Sequence, residues 1–100
     1  MYGYLTELGL EKGVDFHEQF PYGAYLIDFA FIIQRKPFRG LAIETDGFLW
    51  HSSPEAKKRD HYRNYKLLTG GWISERFGET FTKEEVKEVL VKHGILAPSS

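Results

Sequence analysis

Apolar residues along the chain keep two different periods, and the changes of period divide it into seven segments. Tyr4, Leu5 and Leu8 recur at helical spacing in "MYGYLTELGLEKG", and the run ends at Gly9 or Gly13. That predicts a helix entered without a capping residue. "FHEQF" alternates and meets a turn at "PYG", after which "AYLIDFAFII" runs as a strand apolar on both faces. "QRKPFRG", polar with a proline and a glycine, predicts a hairpin loop, and "LAIETD" the strand that returns from it. In "SSPEAKKRDHYRNYKLLTGG", Ser53 is placed to cap, Pro54 suits the first helical position and Gly70-Gly71 can terminate. The segment between them is a basic helix of about four turns. "WISERF" alternates as a short strand, and "TKEEVKEVLVKHGIL" closes with a Thr82 to Glu85 capping box and a Val86, Val89, Leu90 stripe. The expected order is α-β-β-β-α-β-α.

One hundred residues, 42% hydrophobic and 16% aromatic, can bury one core and are too few for two domains of ordinary size. Phe29, Phe31, Trp72 and Phe77 are expected in that core. The absence of cysteine removes disulfides, thiolate metal sites and thiol nucleophiles from consideration. No apolar stretch approaches the ~20 residues of a membrane span, and the first residues lack the order of a signal peptide, so a soluble, cytoplasmic protein is expected. The formal charge of −1 hides a division. From Arg35 to Lys66 the chain carries a balance of +4, and the flanks −5. A positive middle can follow phosphates; a solvated helix face plus a hairpin tip is the other reading of the same charges.

The stretch "IETDGFLWHSS" ends an apolar strand with two acids. Residues two apart on a strand share a face, so Ala42, Glu44 and Asp46 point one way and Leu41, Ile43 and Thr45 the other. In the preceding strand Ile27, Phe29, Phe31 and Ile33 are expected on one apolar face, with Asp28 opposite between Leu26 and Ala30. A carboxylate there is expensive unless paired or metal-bound. If the two strands are antiparallel neighbours, Asp28 and Glu44 converge as hard oxygen ligands of the kind Mg²⁺ takes. Equally, Asp28 can pair with Arg63 or Arg76 while Asp46 merely starts a turn before Gly47. On the basic helix, Ala56, Asp60, Arg63 or Asn64, and Leu67 share a face; an acid leaning inward from it could set the tautomer or basicity of His51. His17, His61 and His93 read as surface residues. Serine-nucleophile, P-loop and dinucleotide motifs are absent.

"YLIDFAF", "LAIETDGFLWH", "KRDHYRNYKLLTGGW" and "ISERF" resemble, in the same order and over about four fifths of the chain, PD-(D/E)XK nucleases of the very-short-patch mismatch-repair (Vsr) type. A related pattern, an aspartate, then E-x-D-G, then His, then R-D-x-x-R before "GW", occurs in restriction-like proteins and in the EDxHD group of phage homing endonucleases. The resemblance implies a restriction-endonuclease-like α/β fold: an α-β-β-β-α-β core with a C-terminal helix and a mixed central sheet. It implies that Asp28 and Glu44, with the main-chain carbonyl of Thr45, hold a metal ion. His51 matches the family's histidine, placed to activate water or assist the leaving group, and Asp60 the acid at the start of the basic helix. Where the wider superfamily has a lysine two residues after the second acid, this chain has Asp46, so that role is dispensed with or taken by His51. The first-helix glutamate of the family has no clear counterpart, because Tyr2 falls near its place and Glu7 comes late.

The expected function is therefore Mg²⁺-dependent hydrolysis of DNA phosphodiester bonds, with Mn²⁺ able to substitute. Arg35, Lys36 and Arg39 in the loop, and Lys57, Lys58, Arg63 and Lys66 on the helix, would hold the backbone of double-stranded DNA. Among family members the catalytic domain of a phage or mobile-intron homing endonuclease is favoured, acting as a homodimer for double-strand cleavage. Residues 1–100 would then be the C-terminal catalytic fragment of a longer protein. A Vsr-like or restriction-like repair or defence nuclease is the alternative, and a non-catalytic nucleic-acid-binding module of the same fold a further one.

Overall fold

The structure, a computed structural model, describes residues 1–45, 53–78 and 80–98, apart from the side chains of residues 34, 35, 56 and 60. Its elements follow the expected order: α1 (Tyr2–Glu7), β1 (His17–Tyr22), β2 (Tyr25–Arg35), β3 (Phe38–Glu44), α2 (Pro54–Thr69), β4 (Trp72–Arg76) and α3 (Lys83–Lys92). The four strands lie in the order β1-β2-β3-β4. The first two pairings are antiparallel hairpins and the β3–β4 pairing is parallel. A parallel neighbour requires a crossover, and α2 supplies it. The fold is thus α+β with a mixed sheet, as the sequence indicated.

Two apolar clusters lie against the sheet. In the first, Phe29, Phe31, Leu41 and Ile43 pack with Leu5 of α1, Val86 and Leu90 of α3, and Phe16, Leu10 and Phe77. In the second, Ile27, Ala30, Ala42 and Trp72 pack with Leu67 of α2. Leu41 and Ile43 therefore face α1 and α3 while Ala42 faces α2, the alternation expected of β3. Thr82 caps α3 through its hydroxyl, which accepts from Glu85 N–H at 3.2 Å, and Glu85 Oε1 returns a bond to Thr82 N–H at 3.3 Å. Helix α2 is followed by a Gly70-Gly71 turn, in which Gly71 takes a φ of +88° that glycine adopts without strain.

Two expectations are corrected. Ile27 does not share a face with Phe29 and Phe31; it belongs to the cluster of Ala30, Ala42, Leu67 and Trp72. On β1 the same change occurs, since Phe16 packs with the first cluster and Phe20 with the second. Between them Gln19 takes a φ of +50°, so the pleat does not continue unbroken past this residue. His93 is not a surface residue either. Its side chain is 12% exposed, and its Nε2 lies 2.8 Å from Glu75 Oε1, where Lys92 Nζ also donates at 3.3 Å.

Burial by itself pushes the Glu75 carboxyl up, but the hydrogen bonds from His93 and Lys92 and their charges outweigh it and hold the group below its ordinary value of 4.5. A carboxylate held low in the folded state stabilises the fold above its unfolded pKa and loses that contribution as pH falls through the folded one. Glu75→Gln should therefore cost roughly 1 kcal/mol near pH 7, and the cost should fall away as acid protonates the Glu75 carboxylate. Urea unfolding of both proteins from neutral to acid pH measures it; a cost independent of pH would mean that charge is not what the pair contributes.

Candidate active site

The β2–β3 register pairs Phe29 with Ile43 and Ala30 with Ala42, and continued by one residue it sets Asp28 opposite Glu44. Directly opposed residues of an antiparallel pair share a face and lie ~5 Å apart at Cβ. Ala42, two residues before Glu44, faces α2, and Glu44 itself meets Arg63 of that helix, so Glu44 lies on the side that α2 covers. Asp28 Oδ2 accepts the backbone N–H of Thr45 at 2.9 Å and lies 3.3 Å from its hydroxyl. Its other oxygen accepts from Gln19 Nε2 at 3.3 Å. These bonds tie the aspartate to the residue that follows Glu44, and they fix the carboxylate where β3 ends.

Glu44 is fully buried. Its backbone carbonyl accepts from Phe77 N–H at 2.8 Å, which holds the end of β3 to the chain leaving β4. Its Oε1 accepts from Arg63 Nη2 at 2.5 Å, and the same nitrogen donates to Leu26 O at 3.0 Å. The guanidinium lies 6.0 Å from the centroid of Tyr25. Arg76, level with Glu44 on β4, reaches Asn64 Oδ1 of α2 at 3.5 Å. Of the two partners weighed for Asp28, Arg63 is thus engaged with the other acid, and it spans α2, β2 and β3.

The structure brings together Asp28, Glu44, Thr45 and Arg63. Asp46 and His51 lie outside the described residues, and for Asp60 only the place on α2 is described. Arg35, Lys36 and Arg39 lie around the β2–β3 turn, at the opposite end of β3 from Glu44. Seven residues of strand separate the two ends, a distance of about 20 Å. One run of basic sequence is therefore two separate places in space. Lys57 and Lys58 are exposed on the outer side of α2 and, with His61, Tyr62 and Tyr65, line one open surface there. Lys66 Nζ sits 5.4 Å from the centroid of Tyr62. Gln19, Tyr25 and Leu26 belong to the site and carried no signal in the sequence, because each takes part through strand register alone.

Among the described residues no group of three or more His, Asp or Glu gathers at metal-ligand spacing. The donor chemistry nevertheless fits a hard divalent ion. Asp28 and Glu44 offer carboxylate oxygens from facing strand positions, and Mg²⁺ takes only one or two carboxylates and completes its shell with water and phosphate oxygens.

One of three comparisons with known proteins finds a relative. A family model described as REase_MTES_1575, of restriction-endonuclease-like nucleases, matches residues 5–94. No curated protein and no solved structure matches the chain. With the matched span running from α1 to just beyond α3, and so taking in all four strands and the acid pair, the chain belongs to the restriction-endonuclease-like family REase_MTES_1575.

Proposed function

We propose that the chain is the catalytic domain of a divalent-metal-dependent DNA endonuclease. The observation that carries this reading is that Asp28 is bonded to Thr45, the residue after the buried Glu44, at the end of β3, within a family of restriction-endonuclease type. When bound, Mg²⁺ or Mn²⁺ held by Asp28, Glu44 and the Thr45 carbonyl supplies Lewis-acid polarisation of the phosphate and offsets charge developing on it. Asp28 and Glu44 would hold that ion at the end of β3. His51, which follows β3 in sequence, is assigned the proton transfer to or from water or the leaving oxygen, and Asp60 supports it from α2. The likeness of "LAIETDGFLWH" and "KRDHYRNYKLLTGGW" to the EDxHD pattern favours a homing endonuclease over a repair or restriction enzyme, with two copies needed to cut both strands.

The test is incubation of the purified chain with supercoiled plasmid in Mg²⁺, in Mn²⁺ and in EDTA. Nicked or linear product with either ion and none in EDTA supports the reading; no product with either ion, or equal cleavage in EDTA, defeats it. A rate that rises with the square of protein concentration for linear but not nicked product would support two copies.

The outer side of α2 is the surface expected to meet the DNA backbone, because Lys57 and Lys58 are exposed there as point charges free to follow phosphates. Changing both to Ala should weaken binding to all duplexes alike and reduce the slope of log K against log salt by about one unit per lost contact. Filter binding of two unrelated duplexes over a salt series measures it, and a change in preference between them would mean that α2 reads bases.

A further inference from the structure

Arg63 meets Glu44 in surroundings that fix both partners. The carboxylate is fully buried, and the arginine side chain is 14% exposed. Beyond its 2.5 Å contact with Glu44, the guanidinium is held by Leu26 O at 3.0 Å and flanked by the Tyr25 ring. In so poorly solvated a place its field on Glu44 is weakly screened. From this geometry we infer that Arg63 is a tethered competitor of the divalent ion: it keeps Glu44 in ligating position while no ion is bound, and it lowers the affinity of the acid pair for the ion.

The inference rests on the metal reading above and adds to it. A buried carboxylate without a cation nearby is costly, and in the metal-free protein Arg63 lessens that cost at 2.5 Å. A second cation arriving at the same carboxylate is opposed by the first. The tether to Leu26 and Tyr25 keeps the guanidinium beside the site rather than letting it swing into solvent, so the opposition persists with the ion in place. A site weakened in this way takes up its ion most readily when DNA phosphate oxygens join the donor set, which couples ion binding to substrate binding. Arg63 is in this sense a positioning residue, and its effect on ion affinity has the opposite sign from that of a residue that only scaffolds Glu44.

The experiment is calorimetric titration of the full chain with MnCl₂ alone, with thermal unfolding of the same samples in EDTA. Arg63→Gln should melt lower in EDTA yet bind Mn²⁺ roughly tenfold more tightly, since one nearby positive charge has gone. Arg63→Lys, which keeps the charge, should stay within about threefold of the parent. Equal or weaker Mn²⁺ binding by Arg63→Gln, where the parent binds, overturns the inference and leaves the metal reading standing. A parent that takes up no Mn²⁺ overturns both. Should Arg63→Gln be unfolded in EDTA, millimolar Mn²⁺ must restore the circular dichroism of the folded chain by replacing the lost cation; a chain that stays unfolded overturns the inference as well.

Discussion

Asp28→Asn should abolish divalent-ion-dependent DNA cleavage, by a factor on the order of 10³ or more, while the domain stays folded. The loss follows from chemistry: an amide oxygen carries no formal charge, and a ligand set reduced from two carboxylates to one holds a hard cation poorly. Retention of the fold follows from the bonds. The oxygen of asparagine can still accept the Thr45 N–H that Asp28 now accepts at 2.9 Å, and the Gln19 amide can turn to present its oxygen to the new NH₂ group. The cost in stability should stay within about 1 kcal/mol. DNA affinity in EDTA should hold or rise slightly, because a negative charge has left a surface that meets phosphates. Plasmid cleavage, thermal unfolding and binding in EDTA separate the three effects. Cleavage undiminished in Asp28→Asn would remove Asp28 from the metal site; cleavage lost together with the fold would make it a structural acid.

How much of this was legible in the residues depends on whether the deciding contact is local. The capping box of α3 was, because Thr82 and Glu85 are three apart and satisfy each other's backbone whatever the rest of the chain does. The β2–β3 hairpin and the two faces of β3 were too, since Leu41 and Ile43 against Ala42 and Glu44 alternate with the pleat. That Asp28 and Glu44 can converge was stated on the condition that β2 and β3 are antiparallel neighbours, and they are. What was not legible depends on several elements together. Arg63 could have turned to either acid, and the choice of Glu44 is fixed by how α2 lies across β2, where Leu26 O takes the same nitrogen. The face of Ile27 differs from expectation because alternation along β2 does not hold between Ile27 and Phe29, which lie in different clusters. The pairing of His93 with Glu75 joins residues 18 apart on α3's C-terminal cap and β4, and no periodicity reports it.

Trp72→Ala should be the most damaging single substitution for the fold, lowering stability by roughly 3–5 kcal/mol. The indole is 2% exposed. It packs with Ile27, Ala30, Ala42 and Leu67, and its ring lies 5.6 Å from that of Phe20 and 6.3 Å from that of Tyr22. Gly40 is shaped to it: a Cβ on that residue would come within 2.6 Å of the ring and would meet the Phe31 carbonyl as well. Among the described residues Leu67 is the one buried side chain of α2, so the helix leans on the sheet largely through Leu67 and Trp72. For a domain whose total stability is of order 5–15 kcal/mol, that loss leaves little in reserve, and the melting temperature should fall by ~15 °C or more. Trp72→Phe should be far milder. The Nε1 atom has no hydrogen-bond partner among the described residues, so phenylalanine forfeits volume and no bond there. The consequence reaches the proposed DNA surface through α2, since a loosened helix no longer holds Lys57 and Lys58 in a fixed place relative to the sheet. Cleavage by Trp72→Ala should therefore decline at temperatures where the parent is fully folded and active. Thermal unfolding followed by circular dichroism, with cleavage assayed at the same temperatures, measures both effects. A Trp72→Ala chain melting within a few degrees of the parent would show that α2 is anchored by contacts other than the indole.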